Sequence, residues 1–383
     1  MARLVSPMRL RLGTKSGTAD INHVDSRMAP RRGSAPNNAK APRIAMYSIL
    51  TRAELFLAIL KLVKPTLTKL LHCAHSQDVR LVSGVIFILE PGGPNMQNVI
   101  EFDDKRDQMN WSTIIFVTLF HLAALTAIFT FSWQNLAVTL VLWIIASSWG
   151  VGIGYHRLLT HRGFTAPVWL TRFLAFCATL ALQSGPITWV TTHRIHHAFT
   201  ETERDPHSPR NGAYWAHIGW IFRGTAQHQP ESVRERYSPD LLRDPFLRFL
   251  DNYYWAPTIA LGAVLFAFGG WTMVVWAVVL RVVVSWHFTW MVNSVTHIAG
   301  SRRFDTRDDS RNNGLVALVT FGEGWHNNHH AHPRSAKHGL TWREIDFNWI
   351  QLRAVEKLGL IRDMYAYKIE AETDQEQELR AAA

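Results

Sequence analysis

Three stretches of this sequence carry no formal charge for longer than a soluble fold tolerates: Trp111 to Trp133 for 23 residues, Leu136 to Tyr155 for 20, and Asn252 to Leu280 for 29. Runs above about 18 such residues read as membrane-spanning helices, because lipid offers backbone N–H and C=O groups no partner and a helix satisfies them internally. The first two runs are joined by the uncharged FSWQN, and the third contains Phe268-Gly-Gly-Trp271. That Gly pair is a natural turn, dividing the third run into spans of roughly 253 to 269 and 271 to 293. Arg281 then lies near the middle of a span, which is tolerable if its guanidinium faces protein or snorkels. The short loops between spans are uncharged, and every basic cluster lies on the other side. By the positive-inside tendency the N-terminus, the segment 156–251 and the C-terminus are cytoplasmic.

One segment strains this scheme. PVWLTRFLAFCATLALQSGPITWV, residues 167–190, is apolar enough to resemble a fifth span, yet it holds Arg172, Gln183 and a Gly-Pro break at 185 and 186. If it crossed, histidines 156 and 193 would lie on opposite faces of the membrane. The expectation is a segment that lies in the interface or dips in and returns.

The net charge of +10 is lopsided: residues 1–95 hold 14 Lys+Arg against 5 Asp+Glu, leaving 26 against 25 for the rest. The basic excess therefore belongs to an N-terminal extension, expected to be poorly ordered, with an over-extended start upstream of Met96 or Met109 as one origin. An amphipathic surface anchor over residues 53–72 is the alternative. Outside the extension the near-neutral balance gives no reason to expect a nucleic-acid partner. Cys73 and Cys177 lie far apart, so neither a CxxC metal pair nor a disulfide framework can be built.

Three histidine clusters punctuate the apolar runs: HRLLTH (His156, His161), HRIHH (His193, His196, His197) and HNNHH (His326, His329, His330). An HxxHH pattern is expected by chance roughly 0.05 times in a chain of this length and composition, so two are no accident. On a helix, positions i, i+3 and i+4 share one face, which aims all three imidazoles of each HxxHH together. His156 and His161 fall about 140° apart at 3.6 residues per turn, which suits the flank of a site or a helix that ends between them. Neutral imidazole is the commonest metal-binding side chain, and eight of them exceed one ion's coordination shell, so two metals is the simplest count. With no carboxylate inside the clusters, the nitrogen-rich field favours iron, copper or zinc over magnesium or calcium.

A zinc hydrolase using Glu323 as base would need three protein ligands and leave most of these histidines unexplained. Two redox-active irons would use them all. The isolated histidines 121, 217, 228 and 287 read as packing or surface residues, while His207, His332 and His338 lie close to the clusters and are left unassigned.

The order HxxxxH, HxxHH, HxxHH, with GYHRLLTHRGF, ALQSGPITWVTTHRIHHAFTETERDPH, HIGW and FGEGWHNNHHAHPRSAKHGLTWREID, resembles the membrane acyl desaturases of the stearoyl-CoA desaturase type, in their bacterial and cyanobacterial delta-9 branch. The resemblance covers about residues 109–362 and implies a desaturase domain over 96–370 followed by a polar tail, 371–383. It implies an all-α integral membrane fold of four spans, with a helical cytosolic cap holding a His-rich di-iron site and a kinked acyl tunnel. Through NSVTH it makes His297 a ninth ligand and gives Asn293 a metal-bound water. Gln183, Trp189, Thr289 and Trp290 match positions that shape the kink, and Arg194 one that contacts a carrier phosphate. After HIGW this chain offers Arg223 without the lysine of the acyl-CoA enzymes, so acyl-CoA, acyl-lipid and acyl-carrier protein all stay open.

The implied reaction is O2-dependent removal of two hydrogens from carbons 9 and 10 of a saturated chain to give a cis-monoene. The protein's part is position and a dry cavity, with electrons from an external ferredoxin or cytochrome b5-like donor. A di-iron acyl hydroxylase is the neighbouring alternative; a membrane metal or haem carrier is the non-enzymatic one, and predicts histidines along a path inside the spans. Preferred chain length is expected to depend on residues 144–148 facing the tunnel end.

Overall fold

The computed structural model describes residues 108–223 and 229–369. The extension 1–95 with its anchor over 53–72, His228 and the tail 371–383 lie outside the described residues. Among the described residues the fold is all-helical, and strand pairing is confined to isolated bridges such as Thr165 with Arg362.

Helix α1, Trp111–Leu125, starts where the Asn110 side chain accepts from the Thr113 amide, and it tightens into a last turn at Thr126–Phe129. Ser132 caps α2, Trp133–Trp143, which widens into π-type hydrogen bonding over Ile144–Thr160. Among the described residues three apolar helices are long enough to cross a membrane: Trp111–Phe129, Trp133–Thr160 and Ala256–Ile298. The last comprises α8, Ala256–Val274, a widened stretch Val275–Leu280 and α9, Arg281–Ile298. Its 43 residues would run about 65 Å if straight, twice the hydrocarbon thickness. It is not straight: Gly270 breaks it at φ 67°, ψ −164°, a conformation glycine adopts without steric cost, within the FGGW turn expected from sequence.

The segment 167–190 holds no helix long enough to cross a membrane. Its helix α3, Val168–Thr179, has 12 residues, about 18 Å, and lies along the π-type stretch. Contact is close because Gly150 and Gly154 face it: a Cβ on Gly150 would stand 2.4 Å from the Ala178 amide nitrogen, and one on Gly154 3.0 Å from Leu174 Cβ. Past the end of α3 the carbonyl of Leu180 accepts from Arg281 Nη2 (2.8 Å) and that of Ala181 from Trp286 Nε1 (3.0 Å). Arg281 is thus buried against protein, as its place in an apolar helix demands. The chain then turns through Gly185 into α4, Pro186–Phe199, whose first amides, Ile187 and Thr188, both donate to Asp251 Oδ1 at 2.9 Å. The polar layer is completed by α5 (Ala213–His217), α6 (Glu231–Tyr237), α7 (Pro245–Asn252), α10 (Gly314–Val319), α11 (His326–Ala331) and α12 (Phe347–Lys357).

Candidate metal centre

Four elements carry the imidazoles together: the end of the π-type stretch, α4, the end of α9 and α11. Both HxxHH clusters are helical, as their spacing predicts. The helix carrying the HxxxxH pair stops between its members, one of the two arrangements expected from spacing, ending at Thr160 with His161 as its C-cap, and it does not splay them. The His161 amide donates to the His156 carbonyl at 3.1 Å, an i→i+5 bond that brings the two residues into register, with ring centroids 4.8 Å apart. His156 also lies 4.7 Å from His193, ring to ring, so the chain between them returns to the same site.

The nine histidines singled out above fall into two groups. His156, His161, His193, His197 and His329 have one ring nitrogen each within 4.8 Å of the others; so do His196, His297, His326 and His330. Burial, reinforced by neighbouring rings, holds His161, His193, His197, His326 and His329 well below the ordinary imidazole range, and it lowers His330 to about 4 despite Asp308. These six rings are therefore neutral at physiological pH, the form that binds metal.

Carboxylates fix which nitrogen faces inward. His156 Nδ1 donates to Glu323 (2.6 Å), His196 Nδ1 to Asp205 (3.0 Å), His297 Nδ1 to Glu201 (2.9 Å) and His330 Nδ1 to Asp308 (2.8 Å). In the neutral, metal-binding form each of these rings then presents an unprotonated Nε2. His196 and His330 direct two such nitrogens at each other across 3.4 Å, and His161 Nε2 is buried without a partner. Two lone pairs face to face repel unless a cation lies between them, so this donor set fits metal ions. The carboxylates were invisible in the motifs because they lie outside them: Asp205 is nine residues from His196, and Glu201 is 96 from His297. Glu201 also holds a left-handed backbone, φ 60°, fixed by its amide donating to Asp205 Oδ2 at 2.8 Å. Such a conformation costs on the order of 1 kcal/mol, and here it aims a carboxylate at His297.

Glu323 is unavailable as a hydrolytic base, the role considered from sequence. Its Oε2 accepts from His156, and its Oε1 from Arg157 (2.9 and 3.0 Å) and Asn348 (2.7 Å). Burial alone would raise its pKa, but Arg157, His338 and His156 hold it well below the usual carboxylate range. Of the unassigned histidines, His338 is buried with Nδ1 3.2 Å from Glu323, and His207 stands beside Asp205 and His196. His332 stacks on Tyr367 at 3.5 Å. His121, His287 and His217 form a chain with links of 3.0 Å, ending on Ser294 and the Val117 carbonyl. Every ring nitrogen in that chain has a partner, so it reads as interhelical packing.

Two cavities meet at the imidazoles, of about 60 and 100 Å³. The first runs between α2 and α9 past Trp143, Ser147 and Phe288 to Glu323 and His326; the second runs past Phe116, Trp220 and Trp286 to His207. Trp189, His193, Thr289 and Asn293 line both, and Gln183 and Trp290 line the second. Gln183 Nε2 donates to Thr289 Oγ1 at 2.9 Å, tying the turn before α4 to α9 where the cavities join. Arg194 is placed elsewhere: its guanidinium donates to Asp240 (2.7 and 3.0 Å) and to the Tyr237 and Leu159 carbonyls. Of residues 144–148, Ser147 lines a cavity; Ser148 turns away, bonding Asn348 and Gln351.

The profile of the family described as fatty acid desaturase matches residues 102–363. An sn-1 stearoyl-lipid 9-desaturase of Anabaena variabilis is 45% identical over 257 residues, 67% of this chain and 93% of the relative. An sn-2 palmitoyl-lipid 9-desaturase of Nostoc sp. (strain 36) is 44% identical, over 67% of this chain and 90% of the relative. An sn-1 stearoyl-lipid 9-desaturase of Synechocystis sp. is 43% identical, over 66% and 80%.

Proposed function

The chain belongs to the fatty acid desaturase family, and from that premise we propose that it introduces a cis double bond between carbons 9 and 10 of a saturated acyl chain carried by a membrane lipid. It is a membrane oxidoreductase of lipid metabolism. The observation that carries the reading is the meeting of two cavities at the edge of nine clustered histidines, of which His156, His193 and His326 line them, with Trp189, Thr289 and Asn293 in the shared wall.

In this reading the break at Gly270 makes α8 and the helix after it two spans, four in all, beneath a cytosolic polar cap, with both termini cytoplasmic. Five imidazoles (156, 161, 193, 197, 329) hold one iron and four (196, 297, 326, 330) the other, with Asn293 reaching the second through water. Bound iron supplies O2 reduction and the oxidising power that unactivated C–H bonds require. The chain's own residues supply geometry. The acyl chain bends where Gln183 and Thr289 join the cavity walls, Trp189 packs on one side and Trp290 on the other, and carbons 9 and 10 stop beside the imidazoles. Misplacement by about 1 Å would cost on the order of a hundredfold. The apolar lining excludes water from that point. Electrons come from a ferredoxin or cytochrome b5-like donor docking on the polar layer. A lipid rather than CoA carrier is supported by the engagement of Arg194 with Asp240 and by the lipid substrates in the relatives' names; in this reading Arg194 braces α4.

Gas chromatography of fatty acids from a host expressing the chain tests this, with His196→Ala beside it. A Δ9 monoene that disappears in the variant is expected. A monoene that persists, or a hydroxy acid in its place, would overturn the reading.

A further inference from the structure

The two imidazole groups differ in what stands behind them. In the group of four, three rings give their Nδ1 hydrogen to a carboxylate: His297 to Glu201, His196 to Asp205 and His330 to Asp308. In the group of five, His156 alone does so, to Glu323; among the described residues the other four rings have no carboxylate partner. Compensation differs as well. Glu323 has a buried cation beside it, Arg157, which contacts it through Nε and Nη2 and is shared with Asp346. Asp205 accepts its remaining bonds from the amides of Glu201 and His207, and Asp308 from the Ser310 amide and the Thr306 hydroxyl, all uncharged donors. Glu201 has Arg210 at 3.1 Å, but that side chain is 60% exposed and screened by solvent.

A carboxylate on Nδ1 makes the opposite nitrogen more basic, and a buried uncompensated carboxylate adds negative potential in a medium that screens it poorly. Both effects favour higher positive charge at the point the Nε2 atoms face. We infer that the two metal positions are electronically unequal: Glu201, Asp205 and Asp308 make the four-imidazole position the home of the more highly charged ion, so the five-imidazole position takes the first electron from the external donor. That step converts one ferric ion to ferrous with one electron and breaks no bond. Asp205 and Asp308 are positioning residues, acting through His196 and His330. The inference rests on the di-iron reading above.

Its test is reductive titration of the iron-loaded protein in detergent, followed by Mössbauer spectroscopy, with iron retention against a chelator measured in parallel. Two separate one-electron steps are expected. Asp308→Asn raises the lower-potential step and leaves the upper in place, a tenfold change in ferric preference being about 59 mV. Asp205→Asn, on a different ring of the same group, does the same, and Glu323→Gln moves the upper step. Each aspartate variant weakens retention of one iron equivalent by about 10–100-fold, and Asp308→Glu restores it. Asp308, at the rim of the layer, is the variant that tolerates change should Asp205→Asn not fold. Two irons that reduce together, or aspartate and glutamate variants that shift the same step, overturn the inference. Fewer than two irons per unmodified chain would overturn the di-iron reading itself, a separate failure.

Discussion

The lipid-facing helices and the histidine layer bury opposite things. Along Trp111–Phe129 most exposed side chains are apolar, Ile115, Leu119, Leu122 and Phe129 among them, and Thr113, Val117 and Ala124 turn inward. In the layer the most deeply buried side chains include Arg157, His196, His329 and His338. In the first region lipid replaces water as the partner of apolar surface, so packing asks little beyond being apolar. In the second each buried polar group needs a named partner, because an unsatisfied one costs its full desolvation.

Acid should break the two regions apart most strongly. In the metal-free protein five imidazoles are held well below their ordinary value near 6.5, and His330 and His207 are lowered to about 4 and about 3. The unfolded chain takes up protons there that the folded chain refuses. Their contribution is therefore complete above about pH 6.5 and lost as pH falls toward the folded values. Asp205, Asp308 and Glu323, held below the usual carboxylate range against their own burial, lose theirs further down, as pH falls through their folded values. Each imidazole contributes up to about 1.4 kcal/mol per pH unit, so several kcal/mol should vanish between pH 7.5 and 5.5. Thermal unfolding in detergent with a chelator measures it, and an unchanged midpoint would contradict the burial described here.

Next in size is Arg157→Met, which leaves Glu323 and Asp346 buried without their cation. A loss of about 3–5 kcal/mol is expected, read from the same unfolding curves. Gly150→Leu should cost about 1–3 kcal/mol or more by forcing α3 off the π-type stretch, since even a Cβ finds Ala178 at 2.4 Å. Leu119→Ile, on the lipid-facing side, should change stability by less than about 0.5 kcal/mol. If it matched Gly150→Leu, the contrast between the regions would fail.

The same contrast explains what could be read beforehand. Apolar runs, the Gly269-Gly270 break and the i, i+3, i+4 histidines are local signals, and each was legible. The carboxylates behind His196, His297 and His330, the π-type register of His156 with His161, and the outward turn of Ser148 toward Asn348 depend on tertiary contacts with no periodic trace in the chain. Arg194 shows a related limit: a motif fixes where a side chain starts, and its pairing with Asp240, 46 residues away, depends on the fold.

The widened stretch Ile144–Thr160 also changes how depth should be counted. A π-type turn holds more residues than an α-turn and advances less along the axis for each. Residue number therefore overstates how far this helix travels, and a ruler of 1.5 Å per residue would set the membrane boundary beyond where the chain reaches it. The surplus goes into girth, and it is alongside this thicker part, at Ser147, Val151, Gly152 and His156, that the helix forms one wall of a cavity leading to the imidazoles.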